Sequence, residues 1–224
     1  MSSEIRNFVV INGSPKTTER SVSGALAQKA QARFQAAGLK THVIHVRRSL
    51  KDPACGNDYH TMRAADGLLL IFPLYYFCVP AMLMRFLEGY AARLAHSGGL
   101  PRPQRIYALV NCGFPEPDIN GEAIRVIQSF CRHVGASFRF GVSIGGGSLI
   151  TEASEAPFMK KAVAQLDAAF SHMALDTPSD HASIPVPIPQ RFYLFMGNRG
   201  WFGMARKNGL KKKDLYARPY QQKE

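Results

Sequence analysis

The stretch from Val9 to Leu26, "VVINGSPKTTERSVSGAL", joins two unlike halves. Its first half closes the apolar run Phe8, Val9, Val10, Ile11 and stops at Asn12-Gly13, the pattern of a short strand buried on both faces. Its second half opens a helix, with Val22, Leu26, Ala30, Phe34 and Ala37 at helical spacing and Gly38 where a helix stops. Between them Ser14, Thr17, Thr18, Ser21 and Ser23 supply hydroxyls, and Lys16 supplies a positive charge. The first amides of a helix are unpaired donors, so such a joint suits an anion. Neither GxGxxG nor GxxxxGK[ST] is present, so the loop is not built for a dinucleotide or a nucleoside triphosphate. A polar turn capped by Ser21 accounts for the same residues equally well at this point.

Outward from this joint, strand and helix patterns alternate. "KTHVIHVRR", "DGLLLIFP", "RIYALVN" and "SFRFGVSIG" read as four further strands, the third strand of the chain ending at Pro73. Leu83, Phe86, Leu87 and Tyr90 mark a helix that begins after Pro80. Ile124, Ile127, Cys131 and Val134 mark another, closed by Gly135, and Phe158, Ala162, Leu166, Phe170 and Met173 mark the last helix of the body. Between the second and third strands a helical signal covers only Asn57 to Ala65. The expectation is an α/β fold: a doubly wound five-stranded parallel sheet with helices on both faces, occupying residues 1–175. Residues 176–224 form a Pro-rich linker and a basic, aromatic C-terminal extension, and "TPSDHASIPVPIPQ" is expected to be neither strand nor helix.

Composition removes several classes of function. The 224 residues contain no apolar run of membrane-spanning length, and the first ten enter a strand without a signal-peptide core. Cys55, Cys78, Cys112 and Cys131 are far apart, and neither they nor the seven histidines have metal-ligand spacing. No metal and a reducing cytoplasm are therefore expected. "GGGSLI" is not a GxSxG nucleophile turn, and nothing in the spacing sets a histidine beside a nucleophile.

Charge is distributed unevenly. Lys and Arg number 28 against 16 acids, a net of +12; from Arg191 onward nine cations face two acids, 9 − 2 = +7. There Phe192, Tyr193, Phe195, Trp201 and Phe202 interleave with the cations, and Lys211 to Lys213 follow. That mixture suits an anionic membrane surface, nucleic acid or a second subunit, with nucleic acid the least expected. Alternatively the aromatic half packs against the body and the lysines are simply solvated.

In open α/β sheets ligands sit at the carboxyl ends of the strands, where strand order reverses. Two further loops fall there. "FPLYYFCVP" sets Pro73, Leu74, Tyr75, Tyr76 and Phe77 at the mouth of a buried strand, as walls for a flat ligand or as cover for a core edge or interface. "NCGFPEPDING" offers Asn111, Cys112, Gly113, Phe114 and Glu116, as a ligand loop or as a turn capping the next helix. Gly146, within Gly145 to Gly147, belongs to a sharp turn or a ligand rim. An anion at the first loop and a planar ring at the other two together describe a bound flavin mononucleotide.

On these motifs, "INGSPKTTERSVSGAL", "DGLLLIFPLYYFCVPAMLMRFLE" and "VNCGFPEPDINGEAI", the chain resembles the flavodoxin-like NAD(P)H-dependent FMN reductases over about residues 5–173. The resemblance implies a phosphate loop with Ser14, Lys16, Ser21, Val22 and Ser23 at its ligand positions. It also implies a ring-side loop at "FPLYYFCVP" and an opposite edge at "NCGFPE". It further implies FMN as cofactor, NAD(P)H as donor, a small-molecule electron acceptor and a homodimer. Only Cys55 stands where iron–sulfur relatives carry a cysteine cluster, so no cluster is expected. The alternative is an electron carrier of flavodoxin type, to which a net charge of +12 is ill suited because such carriers are usually acidic.

Overall fold

Parallel pairing organises the chain. In the computed structural model, which describes residues 5–16, 21–52 and 55–218, the strands are β1 (Asn7–Asn12), β2 (Lys40–His45), β3 (Gly67–Pro73), β4 (Arg105–Asn111), β5 (Ser137–Ile144) and β6 (Ala182–Ile184). They form one sheet in the order β2-β1-β3-β4-β5-β6, with every neighbour parallel. The helices are α1 (Val22–Ala36), α2 (Val46–Ser49), α3 (Cys55–Ala64), α4 (Ala81–His96), α5 (Gly121–Val134), α6 (Gly147–Glu152), α7 (Lys160–Ala174) and α8 (Gln190–Lys207).

Alternation along the strands sends side chains to two cores. Phe8, Val10, Leu69, Ile71, Tyr107 and Leu109 face Leu26, Phe34, Leu166 and Phe170 of α1 and α7. Val9, Ile11, Leu68, Leu70, Ile106 and Ala108 face Phe86, Leu87, Tyr90 and Ile127 of α4 and α5. Strands buried on both faces explain why β3 and β4 read as unbroken apolar runs. α5 stops where Gly135 takes φ +71, a conformation that glycine adopts without steric cost. Phe158, expected on the last helix of the body, lies just before it and is exposed, while Met159 is buried instead.

The sheet has six strands, not five. β6 arises within "TPSDHASIPVPIPQ", a segment whose sequence reads as neither strand nor helix. Three residues between prolines are too short to show a period; the strand exists because Ala182, Ser183 and Ile184 pair with Val142, Ser143 and Ile144 of β5. A half-buried clamp stands where the chain turns back towards that edge. Asp176, at φ +49 just past α7, receives Arg105 Nε at 2.6 Å, Arg139 Nε at 3.0 Å and the Tyr107 hydroxyl at 2.9 Å.

The chain divides into two compact units, Met1–Val186 and Pro187–Glu224. The first holds the sheet and both cores. The second consists of α8 and a 3₁₀ turn at Lys212–Tyr216.

Candidate functional site

Because all strands are parallel, their following loops share one edge of the sheet. The chain leaves β1 towards β2 on one side and β3 lies on the other, so the crevice opens there. Gly13 N donates to Ile71 O at 2.8 Å, laying the first loop on the end of β3. A Cβ at Gly13 would stand 2.8 Å from Leu83 Cδ2 and 3.1 Å from Phe72 Cβ, so only glycine lets the loop lie so close.

The hydroxyls of this loop are held in a particular state. Ser21 is the N-cap of α1, and its Oγ accepts Gly24 N at 3.0 Å. Ser23 Oγ accepts Asn111 Nδ2 at 3.0 Å, and the same amide donates to Phe72 O at 3.1 Å. Ser14 N donates to Asn12 Oδ1 at 3.0 Å, while Ser14 Oγ accepts Lys16 N at 3.3 Å. All three serines are buried, and each oxygen already receives a hydrogen. Each therefore has its own O–H to give, which matches a ligand that only accepts. Lys16 is exposed, and Arg47 of α2 donates to Pro15 O at 2.8 Å, so among the described residues these two cations flank the loop. Thr17 and Thr18 lie outside the described residues.

The second loop is a hairpin. Tyr75 and Cys78 exchange both backbone hydrogen bonds at 3.0 Å, so Tyr76 and Phe77 form a two-residue turn. Both central residues are left-handed, at φ 48 and φ 59, positions that usually fall to Asn and Gly. Left-handed backbone at a bulky residue costs on the order of 1–2 kcal/mol. The turn holds Tyr76 wholly in solvent, at 100% exposure, and stacks Phe77 on Phe114 at 5.8 Å and 25°. That ring pair bridges the second loop to the third.

The third loop is tied from beneath. Cys112 N donates to Ile144 O at 3.0 Å, Gly147 N to Cys112 O at 2.8 Å and Gly146 N to Phe114 O at 2.7 Å. Gly145 N donates to Ile184 O at 2.9 Å, so β6 braces the same turn. Gly146, at φ 55, turns the chain from β5 into α6. Burial raises the Cys112 thiol, whose Sγ donates to Phe114 O or Ile144 O at 3.5 Å, so it stays protonated. Asn120 donates to Val110 O and Ile144 O, and its buried Oδ1 has no partner among the described residues.

Together the loops enclose a cleft of about 210 Å³. Ser14, Lys16, Ser21, Val22 and Ser23 line one end; Pro73, Leu74, Tyr75, Asn111, Cys112 and Gly113 line the rest. Tyr76, Phe77, Phe114, Glu116 and Gly146 stand outside that lining, the first four exposed and Gly146 buried beneath the third loop. Gly147, within the glycine run that the sequence offers as a turn or a ligand rim, lines it too, as does Ser148, which the sequence does not single out. Arg47 was missed as well, although its place just after β2 puts it at the loop-bearing edge. A histidine does stand beside a hydroxyl, but not beside a nucleophile. His181 Nε2 lies 3.0 Å from Ser143 Oγ, in space that a Cβ at Gly141 would fill. Ser143 is 1% exposed within β5, so the pair fastens the sheet edge and offers no nucleophile to a substrate.

The sequence profile of a family described as "Flavodoxin-like fold" matches residues 6–168. Human (Homo sapiens) ribosyldihydronicotinamide dehydrogenase (quinone) is 27% identical over 84 residues, 38% of this chain and 35% of that protein. The match thus spans about a third of that relative's length. Among solved structures, the apo form of an NADH:FMN oxidoreductase (EMOB) superposes with a TM-score of 0.58 at 20% identity, over 84% of this chain and 98% of that one. An FMN-dependent NADH-azoreductase from Bacillus anthracis in complex with FMN gives 0.54 at 13%, over 75% and 100%. At such identities the likeness is one of fold.

Proposed function

The chain belongs to the flavodoxin-like fold family, and from that premise we propose that it is an FMN-dependent NAD(P)H oxidoreductase. One observation carries this reading: three buried serine hydroxyls at a helix start face one end of a cleft whose other end is rimmed by aromatic rings. A phosphate monoester accepts hydrogen bonds at every oxygen, and the serines with the first amides of α1 supply donors. Lys16 and Arg47 add charge at the same end. Leu74, Tyr75, Cys112 and Gly113 would hold the ring, and the stacked Phe77 and Phe114 stand outside that lining. Two neighbours of the same fold, the NADH:FMN oxidoreductase and the FMN-dependent NADH-azoreductase, support the assignment.

Bound FMN supplies the redox chemistry, taking hydride from NAD(P)H and passing electrons to a small-molecule acceptor such as a quinone, free flavin or another small electrophile. This chain's part is to hold, orient and exclude water. No side chain of the cleft has to titrate for that, and the protonated Cys112 thiol adds no charge beside the ring. The cysteines are free, in keeping with a reducing cytoplasm. A homodimer belongs to the same reading, and the apolar groove between α4 and α5, lined by Met84, Leu87, Ala91, Val126 and Phe130, is a surface available to it.

Anaerobic mixing of the flavin-loaded protein with NADPH or NADH tests the reading. Rapid bleaching of the visible flavin band is expected. A flavin that stays oxidised with both donors would leave an electron carrier instead.

A further inference from the structure

The second unit keeps its apolar side chains outside. α8 runs for 18 residues, and Ala205 is its one buried residue. Phe192, Leu194, Phe195, Met196, Trp201 and Met204 are 48 to 66% exposed, Trp201 the most. Leu210, Leu215 and Tyr216 are exposed beyond the helix. Gly197, Gly200 and Gly203 have nothing within 4 Å of where a Cβ would stand, so no packing requires them. Each lowers helix stability relative to alanine, and a helix with so little packing needs an outside surface to cover it.

The residues sort in part by helical position, Phe192, Phe195 and Met196 falling on the side of the arginines. Leu194, Trp201 and Met204 share one side, and Arg199 and Arg206 occupy the opposite one. The 3₁₀ turn adds Lys211 to Lys213, with Lys212 Nζ 5.1 Å over the Phe202 ring. From Pro187 to Arg218 the sequence holds eight cations and one acid, 8 − 1 = +7. That acid, Asp214, accepts Lys211 N at 2.7 Å as a cap.

We propose that this unit docks on the surface of a bilayer rich in anionic lipid. α8 lies in the interfacial plane, with Leu194, Trp201 and Met204 at the acyl boundary and the cations among the head-group phosphates. No described helix is long and apolar enough to cross a membrane, so the contact is peripheral. Two other occupants fit less well. Nucleic acid would satisfy the cations and stack on rings, but it gives Leu194, Met204, Leu210 and Leu215 nowhere to go. A second copy would bring a unit of +7 against a molecule of net +12, like charge against like. The inference does not rest on the cofactor reading, since it involves no residue of the cleft.

Trp201 is the only tryptophan of the chain, so its fluorescence reports on this helix alone. The full-length protein is titrated with phosphatidylglycerol vesicles and, separately, with phosphatidylcholine vesicles. The expected result is a blue shift and reduced acrylamide quenching with the anionic vesicles only. A full-length R199Q/R206Q protein should partition about 25-fold more weakly, roughly fivefold per cation removed. Unchanged far-UV circular dichroism in solution guards against an unfolded variant. Three outcomes overturn the proposal: no response to phosphatidylglycerol, an equal response to phosphatidylcholine, or stronger capture of the protein by a DNA duplex in competition with the vesicles.

Discussion

The two ends of the cleft are built by opposite rules. At the hydroxyl end the serines are buried and committed: Ser14, Ser21 and Ser23 each receive a hydrogen, and Asn111 ties Ser23 to the end of β3. At the aromatic end Tyr76 stands in solvent, and the turn that carries it is left-handed at two bulky residues. The first arrangement suits a group that binds and stays. The second suits a surface on which other molecules arrive and leave, at some cost to stability. Binding strength should therefore be concentrated at one end and turnover at the other.

The largest effect expected is at the committed end. Replacing Ser21 and Ser23 together by alanine removes two donors to a charged ligand, each worth about 1.5–3 kcal/mol. FMN affinity, measured by quenching of flavin fluorescence, should fall at least 100-fold; a change under threefold would remove the serines from the phosphate site. Gly13→Ala comes next. Its new methyl would meet Leu83 and Phe72, and overpacking of this kind costs about 1–3 kcal/mol, read as a lower midpoint in urea.

At the exposed end the sign reverses. Y76N with F77G gives the turn the residues its backbone prefers, and stability should rise by about 1 kcal/mol. FMN affinity should hold within threefold while turnover with an electron acceptor falls. Equal or lower stability would mean that the left-handed turn carries no strain.

These contrasts follow how legible each part is in the sequence. The alternation of strands and helices could be read because buried strands and amphipathic helices have periods of their own. Ser14, Ser21 and Ser23 were readable because a helix start announces itself through its cap. β6 was not readable, since Ala182–Ile184 becomes a strand only through the partner it finds on β5. Ser148 is not legible, because it reaches the cleft through a fold-back from β5, which local pattern does not encode. The turn conformation at Tyr76 and Phe77 runs against residue preference, so no propensity argument could supply it. α8 was hidden too, because three glycines and an interleaving of rings and cations mask a helical pattern.

The smallest effect is at the sheet edge below the third loop. Burial lowers the pKa of His181 from its ordinary 6.5, while Asp118 opposes this and Ser143 supplies the hydrogen bond. Above that ordinary value the ring is neutral in both folded and unfolded chains. As pH falls below it, the unfolded chain takes up the proton first, so stability declines until the folded ring also protonates. Melting temperature should drop slightly from pH 7 towards pH 5, and His181→Gln should flatten that slope. An unchanged slope would assign the loss to other groups.

The central claim is that the first loop grips a terminal phosphate. Parallel titrations of the flavin-free protein with FMN and with riboflavin, which share the ring and differ in that phosphate, test it most directly. FMN should bind at least 100-fold more tightly, corresponding to about 2.7 kcal/mol held at the hydroxyl end. Equal affinity for the two, or no binding of either, would contradict the account.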